Sequence, residues 1–502
     1  MTIKTWNFNW KRILENKEDF WKISIFVYFL LIPFFVQLFI TSFIDDTYIT
    51  LTYVRNLSEH FEWGMYPGLP SNSASSPLNV ILLSLINVLV RDPELSVFIF
   101  TVFIHYLFFI VSYQIGKILN LSRLFAFTLS FIFLFNPLII STMGLESALL
   151  ILIFFLSILL YLKDSTYWFG LAIGFLYLTR PDAVLLAFPF WLTSKGIKRK
   201  LLSPVLALVV VLPWLFFSWQ HFGSFFPDTL LIKKIEKTWG GGYGFKNGWL
   251  LYFNSYTRES IFSILPLLLF APAFFFLKKP FNPIHKLGML VLASGVIHYF
   301  AFSTLKVPPY HWYYAPFLIC LNSSVTILFF ANNLRKKIRI IWIFLMLLLQ
   351  LIGFAWTGKE TGGFSEMPIY TNWSSRNGYK RLAEEIDRKI KTKTYIGLFA
   401  EMGTLAYFSK NGIFINEFSD RTEFIKLYRF LEIKNDTVHP IVSLFIRIMF
   451  YNIKRIQDEY PIIKKPPYII LANPSETKSL ELIGETSSKW APILKLYIKE
   501  NH

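Results

Sequence analysis

Charge-free apolar runs, broken by short basic or proline-bearing links, fill the first seven-tenths of the chain. The run ISIFVYFLLIPFFVQLFITSF (Ile23–Phe43) is long enough to cross a hydrocarbon core of about 30 Å. Similar runs predict spans near 23–43, 96–116, 124–141, 145–162, 166–180, 182–194, 200–219, 262–276, 287–304, 313–331 and 338–357, about eleven in all. PLNVILLSLINVLVRDPE (Pro77–Glu94) is too short for a full crossing and predicts an interfacial or re-entrant helix. After residue 358 the pattern changes. RNGYKRLAEEIDRKI (Arg376–Ile390) has the period of an amphipathic helix, and TYIGLFA (Thr394–Ala400), IFIN (Ile413–Asn416) and PYIILA (Pro467–Ala472) read as strands. The expected architecture is a polytopic α-helical membrane domain over 1–358, with a first outer loop at 44–95, and a small α/β domain over 359–502.

Composition agrees. Of 502 residues 54% are hydrophobic and only 16% charged, where a soluble domain carries about a quarter. A net charge of +18 raises the question of nucleic acid. Its distribution answers against it, because the basic residues cluster between apolar spans, as in SKGIKRK (Ser194–Lys200) and LRKKIR (Leu334–Arg339). Lys4, Lys11, Arg12, Lys17 and Lys22 place the N-terminus in the cytoplasm. Lys117, Arg123, Lys163, Lys278, Lys279 and Lys286 then fall on the same side. The expected location is a multi-pass protein of the cytoplasmic (inner) membrane with residues 359–502 outside. The first run is too long for a signal-peptide core and is read as a retained helix. Cys320 is the sole cysteine, so no internal disulfide forms.

This topology collects the polar residues on the outer face. Asp45 and Asp46 end the first span, Glu146 opens another, and Arg180 with Asp182 closes a third. HFGSFFPDTLLIKK (His221–Lys234) and LKVPPYHWYYAPF (Leu305–Phe317) lie at outer bends. Each feature alone suits a helix cap, an interfacial anchor or an aromatic belt. Together they suit a site, since ionisable groups at membrane depth are costly. The chemistry that fits is sugar transfer from a lipid-linked phosphate. A carboxylate takes the acceptor proton, and cations or a metal meet the charge developing on the leaving phosphate. Lys233, Arg180, Lys306 and His311 are the candidate cations. A divalent cation on Asp45 and Asp46 is the alternative.

The motifs resemble the GT-C superfamily of polytopic glycosyltransferases, within it the branch of mycobacterial terminal arabinofuranosyltransferases and their bacterial relatives. The family's Asp-Asp block is matched by DDTYITLTYVRNLSEHFEWGMYPG, which includes Arg55, followed by SNSASSPLNVILL. Its Gly-Leu-Glu element appears as MGLESALL, its Arg-Pro-acid element as TRPDAVLL, and its FGxxxPNTxxxK loop as FGSFFPDTLLIKK, which aligns Lys233. HWYYAPF supplies the aromatic bend with Tyr313, and AEMGTLAYFSKNGIFINEFSD matches the tail with Glu401 in place of Asp. The resemblance runs from about 44 to 475. It implies a GT-C fold, a polyprenyl-phosphate sugar donor, an inverting mechanism, and a cell-envelope glycan or glycolipid acceptor. Asp45 and Asp46 would be the catalytic acids, Asp45 the base. Lys233, Arg180, Glu146, Lys306, His311, Tyr313, Asp228 and Arg55 would contact donor phosphate or substrate. Asp228 stands where Asn is common and Asn79 where an aromatic is common, so the sugar is not carried over. The alternatives are a transporter or flippase of lipid-linked sugar, which would need a midplane site and shows no repeat to build one, and an envelope-assembly scaffold, which needs no acidic pair.

Overall fold

The structure, a computed structural model, describes residues 17–40, 43–236, 238–239, 241–272, 282–332, 334–433, 444, 448, 450–453, 466–475, 480–488, 490–491 and 493–500. Lys4, Lys11, Arg12, Lys278, Lys279 and the end of the span expected over 262–276 lie outside the described residues.

Every apolar run becomes helical, because a backbone surrounded by lipid must satisfy its own polar groups. The helices Pro93–Ile118, Ile197–Phe222, Pro283–Ser303 and Lys336–Glu360, and the run His311–Ala331, are long and apolar enough to cross a membrane. Shorter apolar helices cover Trp21–Gln37, Pro77–Val90, Leu124–Leu134, Ser147–Leu162 and Thr166–Thr179. The chain is a multi-pass membrane protein. Ala315–Ala331 is the innermost helix, with almost every residue buried, whereas Ile197–Phe222 buries only a thin stripe.

Two expected spans are interrupted. The run 124–141 stops at Leu134, since Pro137 has no N–H to continue the ladder. Asn136 caps the next turn, accepting from the N–H groups of Leu138 (3.1 Å) and Ile139 (3.2 Å). The freed Phe135 carbonyl accepts from Gln350 Nε2 at 2.7 Å, so the break is satisfied inside the protein. The run over 262–276 divides into Thr257–Ser263 and Leu265–Phe270, with Pro266 opening the second piece.

The first loop holds more structure than expected. Pro77–Val90 forms the anticipated short helix, but Asp45–His60 is helical too. This helix is buried on nearly all sides because a C-terminal unit lies across it. That unit is a five-stranded sheet in the order β2-β1-β3-β5-β4, with β1 Thr394–Phe399, β2 Gly412–Ile415, β3 Tyr468–Ala472, β4 Glu481–Thr486 and β5 Leu494–Glu500. β1 pairs in parallel with β2 (Ile396 opposite Phe414) and with β3, while β3–β5 and β5–β4 are antiparallel. The amphipathic helix Arg376–Lys389 buries Tyr379, Leu382, Ala383 and Ile386. β1, β2 and β3 follow the strands expected from sequence. β4 and β5 were not foreseen, their alternation being short and interrupted by charge.

Candidate active site

A cavity of about 660 Å³ lies between the helical body and the C-terminal unit. Its lining is largely apolar, with Val80, Leu145, Val184, Leu185, Phe226 and Leu230 among it, and also carries Asp46, Thr50, Ser73, Glu146, Arg180, Asp182, Lys233 and Tyr313.

Local backbone geometry places each of these. Gly144 takes a left-handed φ of +86°, and a Cβ there would stand 2.3 Å from Thr47 Cγ2. The 141–146 turn therefore packs directly on the Asp45–His60 helix. Thr47 Oγ1 donates to the Met143 carbonyl at 3.0 Å. Glu146, at the start of the Ser147–Leu162 helix, is thereby brought into the same cavity lining as Asp46. Arg180 is extended (φ −157°, ψ 129°), as the residue before Pro181 must be, and this turns its side chain inward after the Thr166–Thr179 helix. Asn72 donates to the Phe226 carbonyl (3.2 Å) and accepts from the Asp228 N–H (2.8 Å). The first loop is thus tied to the turn that starts the Thr229–Glu236 helix, which carries Lys233.

Arg180 makes four hydrogen bonds with its five N–H groups. Its Nε and Nη2 reach both oxygens of Asp182 at 3.1 Å, and Nη1 donates to Glu146 Oε1 (3.3 Å) and to the Trp312 carbonyl (3.2 Å). Asp182 also meets His298 Nε2 at 2.6 Å. A guanidinium with these partners orders the two acids and has little left for a ligand. Lys233 differs. Its Nζ lies 3.5 Å from Asp46 Oδ2 and over the ring of Tyr310 at 3.6 Å, with Trp312 and Phe418 at 5.6 and 5.7 Å. The Asp46 side chain is 25% exposed against 7% for Lys233, so the carboxylate is the member of the pair that a ligand reaches first.

Several residues expected at the site serve another purpose. Asp45 does not line the cavity. Its oxygens accept from the N–H groups of Gly403 (2.9 Å) and Thr404 (2.7 Å) and from Thr404 Oγ1 (2.7 Å). A Cβ on Gly403 would come within 2.1 Å of the Asp45 carbonyl, so glycine permits this approach. Arg55 stacks on Tyr407 (4.3 Å) and donates to its carbonyl at 3.2 Å. Asp228 forms an ion pair with Arg421, the two side chains being 2% and 1% exposed, and Arg421 also donates to the Phe222 carbonyl. All three bind the C-terminal unit. Asn79 is buried and donates to the Gly144 carbonyl (3.1 Å). His311 is fully buried off the cavity beside Tyr252, and Lys306 is exposed in a left-handed turn (φ 52°) outside the lining. Burial pushes the Asp45 carboxyl up, against the pull of its three donors. Beside it, Glu401 accepts from Trp373 N–H (2.7 Å) and from Tyr379 Oη, and burial plus the Asp45 charge raise it well above the usual carboxylate range.

Among the described residues, no three His, Cys, Asp or Glu side chains gather as metal ligands. Sequence reasoning missed Thr50, Ser73, Tyr177, Phe418 and the partnership of Asp182 with His298. Of these, His298 carried a signal, an ionisable residue inside an apolar span.

No protein-family model matches the chain, and no curated protein matches it by sequence. Solved structures do. ArnT from Cupriavidus metallidurans in the apo state is similar over 94% of this chain and 97% of its own, with TM-score 0.60 and 13% identity. The same protein bound to undecaprenyl phosphate is similar over 95% and 98%, with TM-score 0.57 and 12% identity. The arabinofuranosyltransferase AftD from Mycobacteria gives TM-score 0.49 and 10% identity over 95% of this chain and 40% of its own. By fold, the chain is a multi-pass membrane protein similar to ArnT over 94% of its length.

Proposed function

We propose that the chain is a glycosyltransferase of the cytoplasmic membrane. It moves a sugar from a polyprenyl-phosphate donor to a cell-envelope glycan or glycolipid on the outer face, with inversion. The observation that carries this reading is the Asp46 carboxylate 3.5 Å from the Lys233 ammonium, both in the lining of a largely apolar cavity. The ArnT neighbour bound to undecaprenyl phosphate supports the same class of lipid here. The prenyl chain lies along the apolar part of the lining, and Lys233 meets the phosphate. Asp46 moves into the role first expected of Asp45. As the donor binds, the Asp46–Lys233 pair opens, and Asp46 takes the proton from the acceptor hydroxyl as that oxygen attacks the anomeric carbon from the face opposite the phosphate. The carbon–oxygen bond to phosphate breaks with its electron pair, and Lys233 stabilises the developing charge. The products are the glycosylated acceptor, polyprenyl phosphate and a proton. Arg180 positions Glu146 and Asp182 to bind sugar hydroxyls. The N-terminus is cytoplasmic and the C-terminal unit faces outward.

The test uses the full chain in nanodiscs with polyprenyl-phosphate pentoses and hexoses and a membrane glycolipid extract, read by mass spectrometry. A pentose or hexose increment that disappears in Asp46→Asn is expected. Increments unaffected by Asp46→Asn would remove the assigned base. Donor translocation in liposomes without any increment would replace the reading with a flippase.

A further inference from the structure

The C-terminal unit contributes one side chain to the cavity lining among the described residues, Phe418. It does so from a tightly held turn. The Phe418 N–H donates to Asn416 Oδ1 (2.9 Å), Ser419 Oγ donates to the Phe414 carbonyl (2.8 Å), and the Asp420 N–H donates to the Asn416 carbonyl (3.0 Å). Arg421, immediately beyond, is locked into its buried pair with Asp228. The backbone that carries Phe418 is therefore fixed on both sides, and its ring is half-buried.

Its relation to Lys233 defines what it faces. Tyr310, at 3.6 Å, is in close cation–π contact with the ammonium. Phe418, at 5.7 Å, stands at the outer limit of such contact and also lines the cavity. If Lys233 meets the phosphate, the sugar attached to that phosphate comes within reach of two lining side chains near the ammonium, one on each part of the chain, Asp46 at 3.5 Å and Phe418 at 5.7 Å. One face of a sugar ring is lined by C–H groups and is apolar with a slight positive charge, which the negative face of an aromatic ring attracts.

We propose that Phe418 is the platform on which the donor sugar stacks, so that the C-terminal unit helps set which sugar the enzyme accepts. This rests on the glycosyltransferase reading above. Phe418→Leu keeps the apolar bulk and removes the π face, and Phe418→Tyr keeps the face. Binding of bare undecaprenyl phosphate and of undecaprenyl-phosphate pentose and hexose is measured by native mass spectrometry on the full chain in nanodiscs. In Phe418→Leu, the favoured sugar-bearing donor is expected to bind about tenfold more weakly, with its lead over the other sugar narrowed. Bare undecaprenyl phosphate is expected to bind as before, and Phe418→Tyr to behave like the parent. Equal weakening of bare and sugar-bearing lipid would overturn the proposal in favour of a ring that only seals the cavity. No change with either ligand would overturn it as well. Failure of the parent protein to bind bare undecaprenyl phosphate would sink the donor reading itself, and the platform with it.

Discussion

Two neighbouring acids are expected to fail in different ways. In Asp45→Asn, one of two oxygens that accept from Gly403 and Thr404 becomes an NH2 group facing a backbone N–H. A hydrogen bond to a charged group contributes about 1.5–3 kcal/mol, and an orphaned buried donor costs about 1–3 kcal/mol. Burial already taxes the Asp45 carboxylate, so a neutral amide recovers part of that loss. A net cost of about 2 kcal/mol is reasonable, roughly a thirtyfold shift in the equilibrium between docked and undocked C-terminal unit. Amide exchange over Gly403–Phe408 is expected to accelerate by that factor, because these amides exchange when the contact opens. Turnover falls only in proportion to undocking. In Asp46→Asn the contacts to Gly403 and Thr404 remain and exchange is unchanged, while kcat drops by about 10²–10⁴, the usual contribution of a general base. The reasoning is refuted if Asp45→Asn abolishes transfer with exchange at 403–408 unaltered, or if Asp46→Asn leaves kcat within about threefold of the parent.

Arg421→Met strips Asp228 of its buried counter-ion and is expected to destabilise by about 3–5 kcal/mol, with much of the loss recovered in the double variant carrying Asp228→Asn; thermal unfolding in detergent shows both. Glu401 is raised above its unfolded value, so the folded state holds the proton more tightly. Its stabilisation is greatest below the ordinary Glu range and is lost as pH rises toward the folded value. Glu401→Gln should therefore flatten the melting temperature across that interval and raise it on the alkaline side; parallel curves would count against this. Lys233→Met is expected to weaken undecaprenyl phosphate by about ten- to a hundredfold and Lys233→Arg by less, measured by titration in nanodiscs.

The helical body was readable because lipid leaves a chain few options. A charge-free window of twenty residues has no alternative to helix, and basic clusters mark the gaps. The break at Pro137 was also written in the chain but was overridden by the apolar run around it. The Asp45–His60 helix was not readable, since part of what buries it comes from residues about 330–360 positions away. The site shows the same division. Glu146, Arg180 and Lys233 sit at ends of apolar runs and could be assigned to one side of the membrane. Which of Asp45 and Asp46 faces the cavity depends on helical phase, about 100° between successive residues, and a segment taken for a loop has no phase to read.

The docking of the C-terminal unit has a consequence for how these motifs should drift. Asp45, Arg55 and Asp228 sit inside the sequence blocks that most resemble a catalytic signature, yet their partners are Gly403, Thr404, Tyr407 and Arg421. They answer to the presence of the tail, whereas Asp46 and Lys233 answer to the cavity. In relatives without such a tail, or with one docked differently, the first set is released to vary while the second is retained. Position 228 should change in step with position 421, an acid accompanying an arginine and an amide accompanying a neutral residue. Retention of the first Asp among such relatives would then record architecture, and retention of the second would record chemistry.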